Sequence, residues 1–408
     1  MRQLTRRSIL AAAPAAALAL RAWPARAKEY GPGVTDTEIK IGNTVPYSGP
    51  GSSYGTIGKA QTAYYKLIND KGGINGRKVN FLSYDDAYTP PKTVEQVRKL
   101  VEQDQVLFIE SPLGTPTNSA IWHYMNQKKV PQLFVATGAT KWNDPKGHPW
   151  TMGWQPNYQS EGRIYATYVL EHKPDGKIGV LFQNDDFGKD YLKGIKDGLG
   201  DKNAKMIVVE GPYETTDPTV DSQIVSMKSA GCDVFINCGI PKFAAQGIRK
   251  AAELDWKPLN VLSSVGNSVG AALKPAGLEN AKDIVSDFYM KDPTDPAWKD
   301  DAGLKEWLAF MDKYYPDGDK TDVGNVIGYS QAQTAVQVLT QCGDTLTREN
   351  VMKQAANLKD FVLPMTLPGI KLNTSPTDFA PMSQVQMAKF DGTRWQLFGS
   401  LLSGAAHS

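Results

Sequence analysis

A chain of 408 residues is too long for a single core, so two lobes are expected. Hydrophobic content of 41% and charged content of 22% are ordinary for a soluble globular protein. The 45 basic residues barely exceed the 43 acidic ones, which argues against the broad basic face of a nucleic-acid binder.

Residues 1–27 read as an export leader and not as part of the fold. Arg6-Arg7 is followed by apolar Ile9-Leu10, an Ala/Leu-rich stretch fills 11–20, and Ala25-Arg26-Ala27 is a small-residue cleavage site. Some ten apolar residues are too few to span a bilayer, which needs roughly 20. The signal is therefore for export, with twin-arginine features that Arg21 interrupts. The leader holds five arginines (2, 6, 7, 21 and 26) and no acid. Taking those five from the 45 basic residues leaves 40 against 43 acids, a formal balance of −3. Lys28 follows Ala27 where a lipid-anchored protein would carry Cys. A soluble periplasmic protein, monomeric and without cofactor, is the expectation.

From Asp36 the pattern is strand, loop, helix, repeated. Residues 38–45 read as a strand, 55–70 as a helix, 78–84 as a strand and 91–103 as a helix. Val106 to Ile109 is a short apolar run of buried-strand type, and 117–129 has helical spacing. Between them Leu113-Gly114-Thr115 breaks the strand, and Pro116 suits a first helical turn. A helix that starts straight after a parallel strand presents unpaired N–H groups and a positive dipole end at the sheet edge where ligands bind. That is an anion site needing no Lys or Arg. A second loop of this kind, Thr137-Gly138-Ala139-Thr140, follows the strand-like residues 132–134. The two loops are read as walls of one small-molecule pocket.

The rhythm restarts at Lys177. Strands are expected at 177–182, 205–210, 233–237 and 260–263, and helices at 187–199, 219–230 and 242–254. Alternation of this kind predicts two similar α/β lobes with parallel sheets. Between them residues 142–158 are rich in Trp, Pro and Gly, with Trp142, Trp150, Trp154 and Tyr158 read either as packing at a crossing or as a wall for a flat ligand. After a strand at 284–288 come helices at 302–314, 326–341 and 348–358. A Pro/Thr-rich stretch and a terminal hairpin around Asp391-Gly392 close the chain.

Three other signals are weighed and set aside. Gly266-Asn267-Ser268-Val269-Gly270 matches a hydrolase nucleophile elbow, which makes a serine hydrolase the alternative of another class. Its only later histidine is His407 in the terminal tail, and a frayed end cannot hold a general base. Asp85-Asp86 and Asp185-Asp186 have carboxylates but no ligand cage, and the four histidines are scattered, so no metal is expected. Cys232 and Cys238 flank a strand and would lie ~20 Å apart at about 3.3 Å per residue, so free thiols are expected.

The sequence resembles the periplasmic substrate-binding proteins of branched-chain amino acid-type ABC transporters, the leucine-binding family. The resemblance rests on Ser48-Gly49-Pro50 with Tyr54-Gly55, on 68–77 (Ile-Asn-Asp-Lys-Gly-Gly-Ile-Asn-Gly-Arg), on Tyr84-Asp85-Asp86, and on Phe187-Gly188. It implies the type I periplasmic binding fold, with lobe one at 36–157 plus 287–372, lobe two at 158–286 plus 373–402, and three crossings between them. It also implies a ligand carboxylate on the loops at Gly114-Thr115 and Thr137–Thr140, with Tyr54 and Phe187 facing the ligand and permease subunits of the inner membrane as partners. Two positions depart: Val265 stands where the family places the acid that holds an amino acid's ammonium, and Ile240 where it places an aromatic. An ammonium buried there without a partner would cost several kcal/mol. The expected ligand is therefore a carboxylate without an α-amine, an aromatic acid of benzoate, hydroxybenzoate or phenylpropenoid type. Branched-chain amino acids are the alternative.

Overall fold

The computed structural model describes residues 28–404; the expected leader and His407 lie outside them. A two-residue strand, β1 (Glu29–Tyr30), precedes the first run of alternating elements: β2 (Glu38–Val45), α1 (Gly55–Asp70), β3 (Lys78–Asp85), α2 (Pro90–Arg98), β4 (Phe108–Glu110), α3 (Thr115–Lys128) and β5 (Gln132–Leu133). The helix expected to run to residue 103 ends as an α-helix at Arg98 and widens into a π turn over Lys99–Gln103.

The second run is α4 (Tyr158–His172), β6 (Ile178–Gln183), α5 (Asp186–Asn203), β7 (Ile207–Tyr213), α6 (Asp221–Ser229), β8 (Val234–Cys238), α7 (Pro241–Glu253), β9 (Leu259–Leu262), the single turn α8 (Lys274–Ala276) and β10 (Val285–Phe288). Next come α9 (Ala302–Tyr314), α10 (Val323–Cys342), β11 (Thr345–Leu346) and α11 (Arg348–Ala355). The terminal hairpin is β12 (Val385–Phe390) and β13 (Trp395–Leu402). The second lobe's second strand was expected at 205–210; a 3₁₀ turn occupies Ala204–Met206, and the strand is displaced toward Tyr213.

One sheet has the order β3-β2-β4-β5 and is parallel throughout. The other has the order β13-β12-β10-β9-β8-β6-β7, parallel from β7 to β10, with the hairpin added antiparallel at the β10 edge. In each run the second strand lies outside the first and the third lies on its other side. The two lobes thus repeat one strand order, as the doubled sequence rhythm predicts. Each has a switch point, between β2 and β4 and between β6 and β8, where connections leave the sheet in opposite directions and open a crevice. The chain passes between the lobes three times: after β5, after β10 and before β12. β10 runs across the seam expected at 286/287, and Thr374 still bonds Leu358 and Ala355 across that expected at 372/373.

Central strands covered on both faces should be apolar along their whole length, and β4, β6 and β8 are buried at every position. Cys232, Cys238 and Cys342 are buried free thiols. Asp85 and Asp185 cap loops: Asp85 accepts from the Tyr47, Ser48 and Ala87 amides, and Asp185 from those of Phe187 and Gly188.

The end of β4 is held by polar contacts. Asn43 on β2 donates to the carbonyls of Glu110 and Ser111 at 2.9 and 3.2 Å. The Glu110 side chain is fully buried, accepts from Tyr65 and Gln61 of α1, and has no cation beside it. Burial pushes its carboxyl up to about 8, so it is protonated at neutral pH. A folded-state value above the unfolded one makes the folded state bind the extra proton. Its contribution is therefore full below the unfolded carboxylate range and is lost as pH rises toward 8. Unfolding midpoints measured between pH 5 and 8.5 should fall less steeply for Glu110→Gln than for the natural chain; identical slopes would contradict a protonated Glu110.

Candidate functional site

The two switch points face each other across a narrow cleft. Tyr54, Gly114 and Thr115 line it from the first sheet's edge, and Phe187, Ile240 and Val265 from the second's. The Tyr54 hydroxyl crosses it and donates to the Val265 carbonyl at 2.9 Å. Leu113 also lines the cleft. Gly114 has φ 96°, and a Cβ on it would fall 2.6 Å from the Tyr88 ring and 2.8 Å from Thr117 Oγ1. Only glycine fits this turn between β4 and α3.

Counting main-chain donors narrows the expected anion site. Gly114 N–H goes to the Ala136 carbonyl at 3.3 Å, Pro116 has no N–H, and Asn118 N–H returns to Gly114. Among the described residues the Thr115 and Thr117 amides take no partner, and Thr115 lines the cleft. The threonine hydroxyls are engaged too: Thr115 Oγ1 lies 2.5 Å from Thr137 Oγ1, and Thr117 Oγ1 bonds the Leu113 and Gly114 carbonyls.

The loop Thr137–Thr140 differs from expectation. Thr137, Gly138, Ala139 and Thr140 lie outside the cleft lining, although Ala136 beside them is in it. The loop does hold an anion, but the anion is the protein's own: Asp190 Oδ2, from α5 of the opposite lobe, accepts from Thr140 N at 2.7 Å and Thr140 Oγ1 at 2.9 Å. Lys141 next to it pairs with Asp186 at 2.6 Å. This loop is a clasp between lobes.

The aromatic stretch 142–158 is corrected in the same way. Trp142 and Trp154 are fully buried, and Trp154 donates to Thr334 of α10 at 3.0 Å, so neither forms a ligand wall. Tyr158 does reach the cleft. Its ring meets Phe187 edge-on at 5.2 Å and stacks on Tyr191 at 4.5 Å. Tyr88 and Tyr289 complete the aromatic lining. These two come from a loop and a crossing with no pattern of their own, and no sequence signal marked them. Burial raises the Tyr54, Tyr88 and Tyr158 phenols, so they remain O–H donors.

No Lys or Arg lines the cleft among the described residues, while acids stand in and behind it. Asp322, the N-cap of α10, lines it directly. Behind Ser264, the fully buried Glu161 accepts from Ser264, Tyr165 and Tyr191, and Tyr165 also bonds the fully buried Asp287. Burial raises both carboxyls, Asp287 to about 7, and the nearby Asp287 adds to the rise of Glu161. Ser268 of the elbow-like motif caps the turn at Val269–Leu273 and donates to Asp322 at 2.8 Å. Its geometry is that of a cap facing an acid of the other lobe.

Two α/β lobes of equal strand order, hinged by three crossings and closed over a lined cleft, define a two-lobed solute-binding fold. The model for the periplasmic binding protein family matches residues 38–394, and the chain belongs to that family. It is 24% identical over 326 residues to the Leu/Ile/Val-binding protein homolog 1 of Brucella abortus, covering 79% of this chain and 84% of the relative. The leucine-specific-binding protein of Salmonella typhimurium is 26% identical over 291 residues, covering 68% and 77%. Among solved structures, a branched-chain amino acid ABC transporter protein from Thermus thermophilus with bound valine superposes with TM-score 0.82 at 14% identity, over 91% of this chain and 97% of that one. The fatty acid ABC transporter substrate-binding protein of Thermomonospora curvata gives 0.75 at 22% identity, over 92% and 95%.

The Asp190 and Tyr54 contacts hold the lobes together from opposite sides. Removing the carboxylate in Asp190→Ala takes away two charge-assisted bonds to Thr140, at a cost of about 1 to 3 kcal/mol of closure. Small-angle scattering of ligand-free protein should show a larger radius of gyration for Asp190→Ala combined with Tyr54→Phe than for the natural chain. An unchanged radius would mean that neither contact holds the closed form.

Proposed function

We propose that this protein is the extracytoplasmic solute-binding component of an ABC importer. It captures a small carboxylate between its lobes in the periplasm and delivers it to inner-membrane permease subunits, without catalysing a reaction. Membership of the periplasmic binding protein family supports the transport role. The ligand we favour is an aromatic acid of benzoate, hydroxybenzoate or phenylpropenoid type. The observation that carries this choice is the lining. Five aromatic rings (Tyr54, Tyr88, Tyr158, Phe187 and Tyr289) surround a cleft with no cationic side chain.

An anion there must be held by dipoles. The free Thr115 amide at the start of α3 and the buried tyrosine hydroxyls are the donors available. Opposite them Val265 and Ile240 offer no acceptor side chain for an α-ammonium. Flat rings against tyrosine faces and edges add dispersion and quadrupole contacts that an aliphatic side chain would not make in full.

The branched-chain amino acid reading is kept because relatives of 24 to 26% identity bear Leu/Ile/Val- and leucine-binding names. Calorimetric titration of leader-free protein with 4-hydroxybenzoate and with leucine separates the two. The expected outcome is aromatic-acid binding in the micromolar range or tighter, with leucine weaker by at least about a hundredfold, which is ~2.7 kcal/mol. Tight leucine binding with no aromatic-acid response would overturn the choice of ligand and leave the transport role standing.

A further inference from the structure

We propose that Asp322 is the second polar anchor of the cleft. Its free carboxylate oxygen accepts a hydrogen bond from a hydroxyl at the end of the ligand remote from the carboxylate. This rests on the aromatic-acid reading above and narrows it to ring-hydroxylated acids.

Asp322 is 8% exposed and lines the cleft. Its Oδ1 accepts twice, from Gly324 N at 2.9 Å within its own helix cap and from Ser268 Oγ at 2.8 Å across the cleft. Among the described residues Oδ2 takes no hydrogen bond and no cation pairs with the group; the nearby Lys274 goes to Asp319 and Thr321. Burial raises the Asp322 carboxyl, and the Gly324 amide, the Ser268 hydroxyl and the N-terminus of α10 oppose that rise. The cleft lining thus holds a carboxylate oxygen without a protein donor, among Ile57, Ala271, Val323 and Ile327 with Thr56 and Ser268. A ligand that brings a donor to it gains a charge-assisted hydrogen bond, whereas one that covers it without a donor strips its water and leaves it unpaired, so the first is selected over the second.

Thr115 follows β4, whereas Asp322 begins α10, which packs on α1; α1 follows β2, the neighbour of β4. The two anchors thus stand on different elements of the first lobe. A hydroxyl across an aromatic ring from its carboxylate brings a donor to the second element while the carboxylate stays at the first, and the tyrosine rings of the lining pack on the ring between.

The test is calorimetric titration of the leader-free natural chain, Asp322→Asn and Asp322→Ala with two matched pairs: benzoate and 4-hydroxybenzoate, cinnamate and 4-hydroxycinnamate. The natural chain should favour the hydroxylated member of at least one pair by about tenfold or more. Both variants should lose that preference, whatever their affinity for the unsubstituted acid. Asp322→Asn keeps an acceptor for the Gly324 cap but can turn an NH₂ toward the cleft, so it should bind 4-methoxybenzoate better than the natural chain does. Circular dichroism and unfolding midpoints check that both variants fold. If the natural chain binds these acids without a hydroxyl preference, or if Asp322→Asn keeps the preference, the Asp322 assignment falls and the aromatic-acid reading stands. If the natural chain binds none of them, that reading falls first and the assignment with it.

Discussion

The hydroxyl of Tyr54 on the carbonyl of Val265 is the contact on which the shape of this protein turns. It joins the start of α1 to the loop after β9 across the cleft. A parallel sheet satisfies its main chain internally, but at a switch point the connections diverge and leave a crevice that nothing in the lobe fills. Each lobe has one such crevice, and turning the two face to face encloses a volume neither could enclose alone. Tyr54 suits the role because its ring is apolar and its tip must find a partner when buried.

Electrostatics in the cleft follow from burial more than from net charge. Acids stand in or near it at Asp322, Glu161, Asp287 and Asp185, and between the lobes Thr140 and Lys141 hold the protein's own carboxylates, Asp190 and Asp186. An intramolecular carboxylate on the second loop explains how the lobes engage: the donors that might have gripped a solute grip the opposite lobe. Donors for a solute carboxylate are then concentrated at the start of α3, where Pro116 and the Gly114–Ala136 bond leave few amides free. A sparse donor set with aromatic walls selects for shape as much as for charge, in contrast to a site built on a buried ion pair.

The repeated strand order, the positions of most helices and the glycine turn at 114 were legible in the sequence. Each follows from local chemistry: apolar runs for covered strands, Pro at a first turn, Gly where φ is positive. The fates of Trp154 and Thr140 were not legible. A tryptophan in a crossing segment packs inward or outward according to what lies beneath it, and here Thr334 of α10, 180 residues later, offers its indole N–H an acceptor. A loop rich in free amides attracts whichever anion is nearest, and that is Asp190 because α5 of the opposite lobe packs beside it. Asp322 did carry a local signal, an acid one residue before the helix. Its second role needed the cleft to be seen.

By itself the sequence determined the lobes, their doubled α/β order and the backbone turn that opens the first wall, because these depend on interactions within a few tens of residues. Tertiary structure alone decided which aromatic rings line the cleft, which anion fills the second loop, and where an unpartnered carboxylate faces inward. Those are contacts between the lobes, from 50 residues apart for Thr140 and Asp190 to 211 for Tyr54 and Val265, and their partners are fixed only when the three crossings set how the two sheets meet.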